Sequence, residues 1–161
     1  MRSEPARPTV LVTGATGFVG GRLAAALVER GARVRALTRR DSGLEALEKI
    51  GVEAVRGDLD DPASLRRAAE GATVVFHAAA RVSDWGPREA SLRTNAEGTR
   101  NVVGACRQAG VARLVHLSSL TVLGLPRDGR LLSEETPTAP PAPGDFYTES
   151  KLLAERHVVE A

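Results

Sequence analysis

The chain's single tyrosine stands four residues before one of its two lysines, in Tyr147-Thr148-Glu149-Ser150-Lys151. On a helix that spacing puts both side chains on one face, with Cβ atoms about 5 to 6 Å apart. An ammonium beside a phenol favours the phenolate, and at about 4 Å and an effective dielectric near 20 one unit charge contributes about 4 kcal/mol. That is the scale on which a phenol becomes a general acid–base group near neutral pH. A second constellation lies near the other end of the chain, where Thr13-Gly14-Ala15-Thr16-Gly17-Phe18-Val19-Gly20 follows an apolar, β-branched run. In this G-x-x-G-x-x-G spacing the first glycine permits a tight turn, the second lets backbone approach a pyrophosphate, and the third allows close helix packing. The helix that opens there offers unpaired N–H groups to phosphate oxygens. A glycine-rich turn without a ligand is the competing reading, but strand before, helix after and three glycines in register favour the phosphate cradle.

Where an NAD site carries an acid for the ribose 2′-hydroxyl, at the end of the next apolar run, this chain has Thr38-Arg39-Arg40. Arg39 there suits a 2′-phosphate and hence NADP. Two solvated arginines in an arginine-rich chain are the alternative, and Asp41 close by leaves NAD open.

Short β-branched runs alternating with amphipathic stretches must position these groups, and that alternation predicts an α/β fold with a parallel sheet. Strands are expected at Thr9 to Thr13, Arg33 to Leu37, Glu53 to Arg56, Thr73 to Phe76 and Arg113 to Leu117. The first helix is expected from about Gly17 to Arg30, ending at Gly31. Asp61-Pro62 announces another, as an N-cap followed by proline at the first helical position. A long helix spans about Glu89 to Gln108 and ends at Gly110. From Leu125 to Asp145 proline-rich chain has neither period, and a helix resumes at Phe146. Residues 1–8 read as a polar tail and 9–161 as one domain, with five strands where a complete dinucleotide fold has six or more.

Further segments complete a pattern: Gly57-Asp58-Leu59 after the third strand, His77-Ala78-Ala79-Ala80 after the fourth, Asn95 in the long helix, and Leu117-Ser118-Ser119-Leu120-Thr121-Val122-Leu123-Gly124 after the fifth. With the glycine loop and Tyr-x-x-x-Lys, the chain resembles the N-terminal part of an extended short-chain dehydrogenase/reductase, in the NAD-dependent epimerase/dehydratase family. Val82-Ser83-Asp84-Trp85-Gly86-Pro87 and the stretch Asn95 to Asn101 are most similar to the branch of 3β-hydroxysteroid and sterol-carboxylate dehydrogenases.

The resemblance implies a Rossmann-type, doubly wound sheet, with a substrate domain lying outside these residues. It implies that Tyr147 exchanges a proton with a substrate oxygen, that Lys151 assists it and binds the nicotinamide ribose, and that Ser119 hydrogen-bonds the same oxygen. Asn95 would hold a water in the relay to Lys151. Thr13, Gly14, Thr16, Gly17, Phe18, Val19, Gly20 and Arg39 would hold the phosphates, Asp58 beside Leu59 would meet the adenine, and Ala78, Ala79 and Ala80 would line the cofactor. Each has a plainer reading: Ser118 and Ser119 satisfying backbone at a strand end, Asn95 as a surface amide, Asp58 as a turn former. His77 and His116 are read as structural, and no metal site is expected. Val122-Leu123-Gly124 replaces the family's Val-Tyr-Gly, and Leu120-Thr121 stands where sugar dehydratases carry Asp-Glu, which disfavours a dehydratase.

Composition narrows the partners. Of 161 residues 42% are apolar and 26% charged, with net charge +2 and no basic block, so nucleic acid and membrane are not expected partners. No leader or membrane-spanning run is read, which predicts a cytoplasmic protein. Cys106, the single cysteine, is expected as a buried thiol. The leading expectation is an NADP-dependent oxidoreductase acting on a secondary alcohol or ketone as its small-molecule substrate. A homodimer through the long helix and the Tyr147 helix is implied by the resemblance. The alternatives are a nucleotide-sugar epimerase using bound NAD, and a non-catalytic NAD(P)-binding module or a fragment of a longer enzyme; weak or absent turnover is expected of these 161 residues alone.

Overall fold

The structure, a computed structural model, describes residues 7–39, 45–83, 85–124 and 131–161. Arg40, Asp41, Asp84 and the start of the proline-rich loop therefore lie outside the described residues. Strands β1 (Thr9–Thr13), β2 (Arg33–Thr38), β3 (Glu53–Arg56), β4 (Val74–His77) and β5 (Arg113–His116) form one parallel sheet in the order β3-β2-β1-β4-β5. Four strand ends, one in β2, both in β4 and one in β5, differ from the expectation by one residue, the usual play at element ends.

Between them run α1 (Phe18–Glu29), α2 (Glu45–Lys49), α3 (Pro62–Ala69) and a long helix that begins as α4 (Arg88–Ser91) and ends as α5 (Gly98–Gln108). α6 (Phe146–Val159) packs on α5 and on the segment joining it to α4. Asp61 caps α3 as expected, its Oδ1 accepting from Ala63 and Ser64 N–H at 3.0 and 3.2 Å, and Asp145 caps α6 by accepting from Thr148 N–H at 2.9 Å.

Alternation along β1 sends Leu11 to one face and Val10 and Val12 to the other, so the sheet is covered on both sides. Leu11, Val75, Leu65, Val102 and Cys106 belong to the core beneath α3 and α5, and Val10, Val12, Val34, Ala24 and Leu47 to the core beneath α1 and α2. Cys106 is buried, and desolvation pushes its thiol up to about 11.

The long helix is not α-helical throughout. Over Leu92–Glu97 it opens into a π-helical turn, Gly98 N–H reaching back five residues to the Arg93 carbonyl. The inserted residue rotates the helix so that Asn95 and, one turn later, Thr99 both point into the protein, each 1% exposed. After β5 a 3₁₀ turn (Leu120–Leu123) ends at Gly124, and Ala139 N–H donates to the Val122 carbonyl, tying the proline-rich loop to it. Among the described residues no helix is long and apolar enough to cross a membrane.

Candidate active site

Two consecutive βα turns on one side of β1 and a reversal to β4 on the other leave a crevice at the carboxyl ends of the strands, where such sheets bind ligands. A cleft of about 430 Å³ opens there. It brings together Thr13, Gly14, Thr16 and Gly17 after β1, Arg39 after β2, Asp58 and Leu59 after β3, and Ala78, Ala79 and Ala80 after β4. Thr94 and Asp60 line it too, neither foreseen from the sequence. Phe18 and Val19 lie outside the lining, on the mostly exposed first turn of α1.

The glycine loop has the form a dinucleotide requires. Gly14 adopts φ +74°, and a Cβ there would come within 2.6 Å of Ala79 N. A Cβ on Gly20 would lie 2.2 Å from the Gly14 carbonyl oxygen, so α1 reaches the loop only because that atom is missing. No side chain caps α1 at Gly17 and no acid occupies its first turn, which leaves its leading N–H groups and partial positive charge turned to the cleft mouth. The residues present thus fit a dinucleotide: bare backbone for the diphosphate, small alanines along β4's exit, and polar groups at the β2 and β3 ends. Asp58 also acts as a turn former, accepting from Asp60 N–H at 3.1 Å.

Lys151 is 2% exposed and its Nζ donates to the Leu117 carbonyl at 2.6 Å, just past the end of β5. Desolvation brings its ammonium down to about 8, against a weaker opposing pull from Glu155. Tyr147, half-buried one turn earlier on α6, lines a second cavity of about 280 Å³ with Ser83, Trp85, Gly86 and Ser91. Arg88 donates from Nε and Nη2 to the two carboxylate oxygens of Glu149, fastening α4 to α6 beside that cavity and holding the Glu149 carboxyl below its ordinary range. Ser119 caps the 3₁₀ turn: its Oγ accepts from Thr121 N–H at 3.3 Å and lies 2.9 Å from Thr121 Oγ1.

Asn95 is not on the surface. Its Oδ1 accepts from Arg81 N–H at 2.7 Å, and its Nδ2 donates to the Arg81 carbonyl at 3.0 Å and to Ser150 Oγ at 2.9 Å. His77 is 1% exposed, within hydrogen-bond reach of Thr13 Oγ1 at 2.7 Å and Thr99 Oγ1 at 2.9 Å, its ring 5.3 Å from that of His116. Desolvation first, then the neighbouring His116 and Lys151, bring His77 down to about 3. His116, lowered to about 4 by burial and Lys151, has both ring nitrogens buried without a protein partner. Sequence reasoning gave no role to Thr99 or Ser150; their spacing, one turn after Asn95 and one residue before Lys151, was the only signal.

Comparison with known proteins agrees with this geometry. The chain is 41% identical over 152 residues to sterol demethylase protein B of Methylococcus capsulatus, covering 94% of this chain and 46% of that protein. It is 38% identical over 157 residues to a 3-beta-hydroxysteroid dehydrogenase of Mycolicibacterium neoaurum, covering 93% of this chain and 42% of that one. A crystal structure of a short-chain dehydrogenase/reductase superfamily protein from Agrobacterium tumefaciens, with bound NAD, superposes with TM-score 0.79 at 37% identity, over 93% of this chain and 44% of that one. The chain therefore spans less than half the length of these relatives. The family model that describes NAD dependent epimerases and dehydratases matches residues 10–161, so that the strand-edge crevice, the bare glycine loop and the buried lysine are those of a member of the NAD dependent epimerase/dehydratase family.

Proposed function

We propose that the protein to which this chain belongs is an NADP-dependent oxidoreductase that interconverts a secondary alcohol and a ketone. The observation that carries the reading is Lys151: an ammonium buried at the carboxyl end of β5, one helical turn from Tyr147. A buried cation is costly unless it serves something, and here it stands one turn along the helix that carries Tyr147. Tyr147 donates its proton to the substrate oxygen during reduction and takes it back during oxidation. Ser119 offers its hydroxyl to the same oxygen. Lys151 keeps two N–H donors beyond the one spent on Leu117, which suit the ribose hydroxyls of a nicotinamide nucleotide. Bound in the cleft, the nicotinamide supplies or accepts hydride.

Thr13, Gly14, Thr16, Gly17 and Gly20 would shape the diphosphate site, with Phe18 and Val19 contributing backbone N–H groups, and Asp58, Leu59 and Ala78 to Ala80 would flank the adenosine and nicotinamide halves. Arg39, exposed on the cleft wall at the end of β2, supports NADP over NAD, since its guanidinium can take a 2′-phosphate bidentately. The same reading places the protein in the cytoplasm as a homodimer joined through α5 and α6, testable by sedimentation. Titration of NADPH and NADH against wild type and Arg39→Asp tests the cofactor: wild type favours NADPH, and the variant loses that preference by about tenfold or more. Stronger binding of NADH by wild type would turn the reading towards a nucleotide-sugar epimerase.

A further inference from the structure

Between the dinucleotide cleft and the Tyr147 helix runs a line of hydrogen bonds that passes through Asn95, whose backbone carbonyl takes one bond and whose side-chain amide makes the next. Ala79 N–H donates to Thr13 Oγ1 at 3.2 Å, and that oxygen lies 2.7 Å from His77 Nδ1. On the far side of the ring, His77 Nε2 lies 2.9 Å from Thr99 Oγ1, which donates to the Asn95 carbonyl at 2.6 Å. The Asn95 amide then donates to Ser150 Oγ, and Ser150 donates to the Tyr147 carbonyl at 2.7 Å. Thr13, His77, Asn95, Thr99 and Ser150 are all at most 1% exposed.

The chemistry of the two ends fixes the direction of every bond. A carbonyl only accepts, so the Thr99 hydroxyl hydrogen is committed to Asn95, and Thr99 Oγ1 must accept from the ring. His77 therefore carries its hydrogen on Nε2, and its bare Nδ1 accepts the hydroxyl hydrogen of Thr13. Thr13 Oγ1 is then free to accept from Ala79 N–H in the cleft wall. A reversed ring would leave bare Nε2 facing the Thr99 oxygen, and a reversed Thr99 would leave its oxygen facing the Asn95 carbonyl, in each case acceptor against acceptor with a buried bond lost.

We infer that His77 and Thr99 are positioning residues that hold the β1 and β4 exits, which form the dinucleotide cleft, in fixed register with the helix that carries Tyr147. The inference rests on the dinucleotide-binding reading above and adds to it a coupling carried by a residue outside the cleft: Thr99 is not among the lining residues. The π-helical turn is what makes the link, because it turns Asn95 and Thr99 inward together. The coupling is reciprocal, so a break at Thr99 is felt in the affinity of the cleft.

The experiment titrates NADPH and NADH against wild type, Thr99→Val and Thr99→Ser, with thermal unfolding followed in parallel. Valine keeps the shape and removes the hydroxyl; serine keeps the hydroxyl. Expected is a loss of affinity of about tenfold in Thr99→Val, in the usual range for coupled sites, with recovery in Thr99→Ser. A folded Thr99→Val that melts earlier yet binds as wild type would show a merely structural residue and overturn the inference. Nitrogen-15 NMR of wild type gives a second reading that needs no variant: His77 is expected as the Nε2–H tautomer, and an Nδ1–H tautomer overturns the inference even if Thr99→Val proves unfolded. Wild type that shows the Nε2–H tautomer but binds neither nucleotide defeats the dinucleotide reading, and the coupling falls with it; binding together with the Nδ1–H tautomer defeats the coupling alone.

Discussion

Mild acid should weaken this fold through one imidazole. In the folded chain His77 resists protonation down to about 3, against an ordinary value of 6.5, because it is desolvated and faces His116 and Lys151. The unfolded chain takes up that proton as the pH falls through 6.5, and the folded chain does not until about 3. Across this window the unfolded state binds more protons, so stability falls with falling pH, by about 1.4 kcal/mol per unit. From pH 6.5 to about pH 5 the loss from His77 is about 2 kcal/mol, a large part of the 5 to 15 kcal/mol that holds an ordinary domain together. His116, lowered to about 4 for similar reasons but less buried, contributes in the same direction. Most carboxylates titrate below this range, so the window is nearly clean.

The assay is urea unfolding at several values between about pH 7.5 and pH 5, for wild type and His77→Gln. Glutamine can still accept from Thr13 and donate to Thr99 but does not titrate. The variant should start out less stable and lose less on acidification, the two curves converging by about 2 kcal/mol. Parallel curves, with the same loss in both proteins, would refute the claim that His77 is held neutral by its surroundings.

Gly20→Ala puts a methyl 2.2 Å from the Gly14 carbonyl oxygen; backbone must move, lowering stability by about 2 kcal/mol or more and abolishing nucleotide binding, read by melting and NADPH fluorescence. Lys151 separates stability from activity: it is charged below about 8 and neutral above, whereas in the unfolded chain it keeps its proton to 10.5. Unliganded protein should therefore gain stability as pH rises from 8 towards 10.5, a gain missing in Lys151→Met, while turnover of the full-length enzyme falls over the same range; Lys151→Met is about a hundredfold slower below pH 8, and the gap narrows above it.

What could be read from the residues alone was whatever depends on local pattern. The strands followed from β-branched runs, α3 from Asp61 and Pro62, and the cleft from glycine spacing, because each is set by atoms within a few residues. The π-helical turn at Leu92–Glu97 was not readable: its composition is that of any amphipathic helix, and the extra residue is absorbed in response to what Asn95 and Thr99 meet across the core. Asn95 illustrates both sides, singled out by motif yet found engaged with Arg81 and Ser150 by bonds that join residues 14 and 55 positions apart. His77 is read from the sequence as structural, but its place between two threonines depends on partners 64 and 22 positions away.

Cys106 has a practical consequence. It is the chain's one thiol, sealed in the layer under α3 and α5 and kept protonated at physiological pH. An alkylating reagent reaches it only when that layer parts, so its labelling rate clocks the opening of the domain without any engineered probe.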